Sequence, residues 1–486
     1  MSAPNLKGVV QPEPLIFEIS REGRIGYSLP DPGLYKTAPL PPELSRKEKA
    51  DWPELSEVDV VRHFTRLSTW NHSVDAGLYP LGSCTMKYNP KINESAARLS
   101  GFATLHPSVG DEYSQGSLGL MYELASYLAE ISGLDEVSLQ PSAGAQGELC
   151  GMLIISAFHK DQGRRRTKVL VPDTAHGTNP ASCAIAGFQA VQIKSGPDGI
   201  LEPDEVKRRL DDQVAAIMIT NPNTLGLFEK RIAQIAEAVH EAGGLVYCDG
   251  ANLNALLGVA RPGDLGVDVM HFNLHKTFSG PHGGGGPGSG PIGVKSHLAP
   301  FLPIPIIVKD GKIYRQDSDR PKSIGRVRGH YGNFGVMVRA YTYIRELGAE
   351  SLRDVARMSV LNANYIRVRL AGTYNLPYPG ICMHECVFDE STLARFEIKT
   401  MDLAKRLIDY GIHPPTVYFP LVVKGAIMIE PTETESKDHL DYFIAAMEEI
   451  ANEAKTNPDL LHAAPVSTKV GRLDEVKAAR DLKVRA

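Results

Sequence analysis

The stretch "HFNLHKTFSGPHGGGGPGSG", residues 271–290, sets one lysine, Lys276, behind a histidine and ahead of a run of glycines. Two chemistries compete for such a segment. A nucleotide-cradling loop needs its glycines before the lysine and a Ser or Thr after it, so that backbone amides close around phosphate at a helix start. Here the order is reversed, and the glycine run reads as a tight connection that lets the chain turn close to a bound ligand. The lysine itself ends "VDVMHFNLHK", which reads as a strand leaving the core. Upstream, "GLVYCDG" reads as a buried strand that ends in Asp249. An amine and a carboxylate at the tips of two strands can face one pocket. A pyridoxal-phosphate enzyme needs that pair: a lysine to bond the aldehyde and a carboxylate to keep the pyridine nitrogen protonated. On the pair alone an ordinary surface lysine remains the alternative.

Two further segments bear on the choice. "QPSAGAQGE", residues 140–148, places small residues just before an expected helix. Exposed amides and the helix dipole make such a turn a seat for phosphate, although Ser142 could equally be a plain N-cap. "PDTAHGTNPAS", residues 172–182, follows a strand and presents His176, whose flat ring could stack on a pyridine or serve only as a satisfied polar group.

The elements that must position these residues are legible from periodicity. From about residue 165 the chain alternates apolar runs with amphipathic ones: "KVLVPD" strand, "PDEVKRRLDD" helix, "AAIMITNP" strand, "RIAQIAEAVHEAG" helix, "GLVYCDG" strand. Strands apolar throughout suit a parallel sheet covered on both faces, and the last three elements form a right-handed βαβ unit. A doubly wound α/β domain follows, with functional residues at the carboxyl ends of its strands. Beyond about residue 350, helices ("SLRDVARMSVLNANYIRVRLAG", "MDLAKRLIDYG", "KDHLDYFIAAMEEIANEAK") and short strands ("HECVFDE", "AIMIEPT") read as a smaller α+β domain. The expected organisation is an extended, proline-rich arm over 1–65, a large α/β domain over 66–345, a small α+β domain over 346–460 and a charged tail over 461–486.

Composition narrows the class. The chain has 486 residues, 43% hydrophobic and 22% charged, with a net charge of −5. That balance gives no basic footprint for nucleic acid. No apolar stretch nears the ~20 residues that span a bilayer, and the start lacks a signal-peptide pattern, so a cytoplasmic protein is expected. The six cysteines are scattered rather than framed as disulfides. Cys382 and Cys386, with His384 and Glu385 between them, lack a second paired cluster, so no metal is expected.

Together "PLGSCTMKYNPK", "QPSAGAQGE", "PDTAHGTNPASCAIAGF", "TNPNTLGLFE", "YCDGANLNALLG", "HFNLHKTFSGPHGGGGPGSGPIGV" and "IEPTETESKD" resemble the pyridoxal-phosphate half of glycine decarboxylase, the P-protein of the glycine cleavage system. The likeness runs from about residue 70 to 450 and implies a fold-type I pyridoxal-phosphate enzyme, with a large mixed-sheet α/β domain and a smaller C-terminal α+β domain. Length and the presence of Lys276 imply the second subunit of the split form, paired with subunit 1 as an α2β2 heterotetramer. Glycine would be decarboxylated and its aminomethyl group passed to the lipoyl arm of H-protein. By the same resemblance Lys276 is similar to the lysine that holds pyridoxal phosphate covalently, Asp249 to the partner of the ring nitrogen and His176 to the histidine stacked on the ring. Ala251 would lie against the ring, and Ser142, Ala143, Gly144, Ala145 and Gln146 would bind the phosphate with His275. Thr224 sits where related enzymes contact the ring hydroxyl. The competing readings are a non-catalytic scaffold subunit, or another enzyme of the same fold such as an amino-acid decarboxylase or a cysteine desulfurase.

Overall fold

Short segments rich in Val, Ile, Leu and Ala form the central sheet: β1 (Glu136–Ser138), β2 (Lys168–Pro172), β3 (Gln189–Ile193), β4 (Val214–Thr220), β5 (Leu245–Gly250), β6 (Val269–Phe272) and β7 (Ile292–Val294). Their spatial order is β1-β7-β6-β5-β4-β2-β3. β2 to β6 run parallel, and β7 pairs antiparallel with both β6 and β1, so the sheet is mixed. Every residue of β4, β5 and β6 is buried, which is what a sheet covered on both faces demands of its central strands. Apolar clusters lie on each face, one around Ile217, Val246 and Phe272, the other around Met218, Tyr247 and Val269.

This computed structural model describes residues 13–30, 33, 40–48, 50–329 and 331–482. Parts of the expected arm (1–12, 31, 32, 34–39 and 49) and the end of the expected tail (483–486) lie outside the described residues. By contacts the chain divides between Ser73 and Val74. In the first unit, helix Glu57–Ser68 runs across residue 65, and its N-cap Ser56 accepts from the Asp59 amide. The buried Glu13 carboxylate binds His63 Nδ1 at 2.6 Å and the Arg66 guanidinium, pinning that helix to the segment before it.

In the second unit, helix Gly144–Asp161 packs on the sheet, and Phe334–Leu370 runs from it toward the carboxyl-terminal lobe with a break at Gly348, whose φ is 65°. That lobe holds β10 (Cys386–Phe388), β11 (Thr416–Val417) and β12 (Ile427–Ile429), in the order β10-β12-β11. Helices Thr400–Asp409 and Lys437–Thr456 cover it around Phe388, Leu403 and Phe443. A two-stranded hairpin, β8 (Ile306–Asp310) and β9 (Ile313–Asp317), stands apart from both sheets.

Candidate active site

Sheet register brings the chemistry together. Thr220 ends β4, Asp249 lies opposite it on β5, and His271 lies opposite Asp249 on β6. Partners in register share a face, so these three side chains stand in a row at the carboxyl ends of adjacent strands. Lys276 follows four residues beyond β6, in a turn rather than on the strand itself.

Asp249 is fully buried and surrounded by donors. Its Oδ2 lies 2.8 Å from His176 Nδ1 and accepts from Asn179 Nδ2 at 3.2 Å; its Oδ1 accepts the Ala251 amide at 2.9 Å and lies 3.3 Å from His271 Nε2. Burial alone would push its pKa up, but the imidazoles of His176 and His271, the His176 hydrogen bond and the Lys276 ammonium outweigh it and hold the carboxyl well below the usual range. The result is a permanent anion at the sheet's edge. Ala251 contributes its backbone N–H to that anion. Asn179 bridges two buried carboxylates, donating also to Glu148 Oε2 at 3.0 Å.

His176 reaches Asp249 with Nδ1 and the Ser83 hydroxyl with Nε2. Lys276 Nζ donates to the Ser83 carbonyl at 2.9 Å. One residue therefore touches both the expected stacking histidine and the expected lysine. Ser83 sits in a turn, Gly82–Thr85, in which Ser83 and Thr85 both take positive φ (63° and 52°). Two buried glutamates of the carboxyl-terminal lobe hold that conformation. Glu385 accepts the Ser83 amide at 2.8 Å, and Glu430 accepts the Thr85 amide at 3.0 Å and its hydroxyl at 2.6 Å. Gly82 is required by close approach: a Cβ there would stand 2.7 Å from the Met428 carbonyl. Lys87, also buried, donates to Glu433, to the Tyr343 hydroxyl and to the carbonyl of Thr277, next to Lys276.

The expected phosphate turn starts helix Gly144–Asp161, and no side chain caps that start. Its first amides lack intrahelical partners, as at any helix start. Ser142 is tied to Gln146, donating its amide and hydroxyl to Oε1 at 2.8 and 2.9 Å. Gly290 backs the turn so closely that a Cβ would fall 2.0 Å from the Ala143 carbonyl. His275 Nδ1 accepts the Ser289 amide at 3.2 Å, and burial, with His282 and Lys276 nearby, lowers its pKa to about 3. It is therefore neutral, with its proton on Nε2. Thr224 is placed differently from the rest: its buried hydroxyl donates to the Thr174 carbonyl at 2.7 Å, bracing the loop that carries His176. The donor set suits pyridoxal phosphate, with amides, a neutral imidazole N–H and a buried anion. Thr220 Oγ1, Thr277 Oγ1 and Ser289 Oγ, all buried beside these groups, have no hydrogen-bond partner among the described residues.

Sequence comparison places this constellation in a family. The family described as "Glycine cleavage system P-protein" matches residues 27–311, more than half of the chain. This chain belongs to the glycine cleavage system P-protein family. A second description, "Glycine dehydrogenase, C-terminal domain", matches residues 355–463. A Halalkalibacterium halodurans relative named "Probable glycine dehydrogenase (decarboxylating) subunit 2" is 57% identical over 470 residues, 96% of either chain. A Chlorobium chlorochromatii protein of the same name is 56% identical over 476 residues, 97% of this chain and 99% of its own. Among solved structures, an inhibitor-bound glycine decarboxylase (P-protein) shares the fold with a TM-score of 0.72 and 22% identity, covering 85% of this chain and 93% of that one. An apo cysteine desulfurase from Thermococcus onnurineus NA1 aligns with a TM-score of 0.60 and 16% identity, over 78% and 95% of the two chains. The expected fold-type I architecture is thus the observed one.

Several residues of this P-protein-family site escaped the reading of the sequence: Ser83, Lys87, Asn179, His271, Glu385 and Glu430. Lys87 and the two glutamates are charged residues that composition alone would send to the surface. His271 carried a signal in hindsight. It is a polar residue inside an otherwise apolar strand, flanked by Met270 and Phe272. Among the described residues no helix is long and apolar enough to cross a membrane. His384, Glu385 and Glu430 bring ligand-type atoms within 4.8 Å of one another, a grouping in which Cys382 and Cys386 take no part.

Proposed function

We propose that this chain is the cofactor-bearing subunit of a glycine dehydrogenase (decarboxylating), acting in the cytoplasm with a companion subunit 1 in an α2β2 assembly. It would release CO2 from glycine and pass the aminomethyl group to the lipoyl arm of H-protein. The observation that carries this reading is the convergence of Lys276 and His176 on Ser83, with Asp249 hydrogen-bonded to His176, in a P-protein-family chain whose relatives are named subunit 2. Bound there, pyridoxal phosphate supplies an electron sink for the pair freed when the carboxylate leaves as CO2.

The chain's own residues supply the rest. Lys276 Nζ would be the amine that holds the aldehyde carbon. The Ser142–Gln146 turn and His275 Nε2–H would hold the phosphate at the start of helix Gly144–Asp161. Asp249 would offer a fixed negative charge to the ring nitrogen, and His176 a ring face. Beside Lys276, burial lowers His282 to about 4 and His384 to about 3, and pushes Glu385 up. A glycine carboxylate entering such buried surroundings loses hydration, which favours its conversion to neutral CO2. In the transfer step the glycine Cα forms a C–S bond and the lipoyl S–S bond breaks. The two electrons left by CO2 thereby reduce the disulfide, and the second sulfur takes up a proton.

A cysteine desulfurase of this fold would need a reactive thiolate. Burial pushes Cys84 up to about 11, and Cys150, Cys183, Cys248 and Cys382 to about 12, so these thiols stay protonated at neutral pH. The decisive assay is exchange of labelled bicarbonate into the glycine carboxyl, with and without subunit 1. Exchange that requires Lys276, together with borohydride trapping of the cofactor at that residue, is the expected result. Full exchange by Lys276→Ala would end the proposal.

A further inference from the structure

Behind Asp249 lies a second pair of buried rings that the proposed reaction leaves without a task. The Tyr247 hydroxyl is 2.6 Å from His271 Nδ1, and His271 Nε2 is 3.3 Å from Asp249 Oδ1. Tyr247 is fully buried, and burial holds its hydroxyl protonated far above its ordinary range, so the O–H donates and Nδ1 accepts. Burial likewise lowers the His271 pKa, leaving a neutral ring. Its single proton then sits on Nε2, where the Asn273 side chain is the hydrogen-bonding partner and Asp249 Oδ1 is a close electrostatic neighbour. The Asn273 side-chain amide, 2.9 Å from the same nitrogen, must present its oxygen there, an orientation that the hydrogen-bond network assigns.

The helix over these rings is cut to fit them. A Cβ at Gly147 would stand 2.8 Å from His271 Cβ, and one at Gly151 would stand 2.4 Å from Tyr247 Cε2. The two glycines lie one turn apart on the face of helix Gly144–Asp161 that meets the sheet. This is the helix whose start is the expected phosphate seat. The rings thus stand between the two ends of a cofactor site, touching the carboxylate at one and supporting the helix at the other.

We propose that Tyr247 and His271 are positioning residues for Asp249: the Tyr247 hydroxyl orients the His271 ring, whose Nε2 edge lies against one carboxylate oxygen and so helps hold the carboxylate toward the ring nitrogen of pyridoxal phosphate. The proposal rests on the reading above that this site holds pyridoxal phosphate. An N–H dipole beside Asp249 makes it a weaker base, so that a proton shared with the pyridine nitrogen stays on the nitrogen.

The test begins without cofactor. In 15N-histidine NMR of the apo protein with its companion subunit, His271 should show the Nε2–H tautomer; a protonated Nδ1 would overturn the proposal. The loaded protein is then compared with Tyr247→Phe, His271→Leu and His271→Gln by melting temperature, cofactor affinity, visible spectrum and borohydride trapping. Tyr247→Phe should still fold and trap cofactor, yet bind pyridoxal phosphate about tenfold more weakly with an altered visible band, as loss of one buried hydrogen bond implies. His271→Leu should lose more, and His271→Gln should recover part by restoring an N–H. Variants with the parent's affinity and spectrum would sink the positioning role while leaving the cofactor reading intact. A parent that binds no pyridoxal phosphate would instead sink the cofactor reading, whatever the tautomer of His271.

Discussion

Asp249 and Glu229 are both buried carboxylates, and their neighbours send them opposite ways. Asp249 faces imidazoles and an ammonium, and remains ionised. Glu229 accepts the Leu201 amide at 2.8 Å and Asn223 Nδ2 at 2.9 Å, yet meets too little positive charge to offset desolvation, and burial raises it from 4.5 to about 7. The sign follows from proton counting. Between those values the folded protein keeps a proton that the unfolded chain has released, so stability falls as pH rises through the window and levels off above it. At 1.36 kcal/mol per pK unit the loss is about 3 kcal/mol. Denaturant titrations at pH 5 and pH 8 should therefore differ less in Glu229→Gln than in the parent, by roughly that amount. An unchanged difference would mean that Glu229 ionises normally in the fold.

At the scale of elements, helix Gly144–Asp161 shows how packing overrides local preference. Alanine in place of a helical glycine normally gains ~1 kcal/mol. At Gly151 the added methyl meets a fully buried tyrosine ring at 2.4 Å, and overpacking of that kind costs ~1–3 kcal/mol. Gly116, in helix Gln115–Ser132, has nothing within 4 Å of its would-be Cβ. Urea denaturation should show Gly116→Ala stabilised and Gly151→Ala destabilised. Equal gains at both positions would remove the packing argument. The same contest explains which elements could be read in advance. "RIAQIAEAVHEAG" and "KDHLDYFIAAMEEIANEAK" fold as the helices their spacing implies, Ile232–Glu241 and Lys437–Thr456. "PDEVKRRLDD" is helical only over Pro203–Lys207, because just one of its residues, Val206, is buried to anchor a further turn. β1 and β7 have three residues each, too few for a period to show, and exist because each pairs with a neighbour.

For the whole molecule, the site is a meeting of distant segments. Ser83 comes from the start of the second unit, His176, Asp249 and Lys276 from the central sheet, and Glu385 and Glu430 from the carboxyl-terminal lobe. A ligand that binds only when all are in place must stabilise the fold by mass action. Pyridoxal phosphate at a hundred times its dissociation constant should raise the unfolding free energy by about 2.7 kcal/mol. Lys276→Ala should lose most of that increment while the apo protein melts unchanged. A parent whose melting is indifferent to the cofactor would contradict a site built across the lobes.

The sequence by itself determined the alternation of strand and helix, and singled out Lys276 and Asp249 as the candidate pair, because burial patterns and chemically distinctive side chains are written locally. Motif resemblance supplied the family. What only the tertiary structure decided is the company those residues keep: Ser83 joining His176 to Lys276, His271 behind Asp249, two glutamates holding a left-handed turn, and Thr224 turned to a backbone carbonyl. Such contacts depend on strand register and lobe packing, which sum weak preferences over the whole chain. No window of residues contains them.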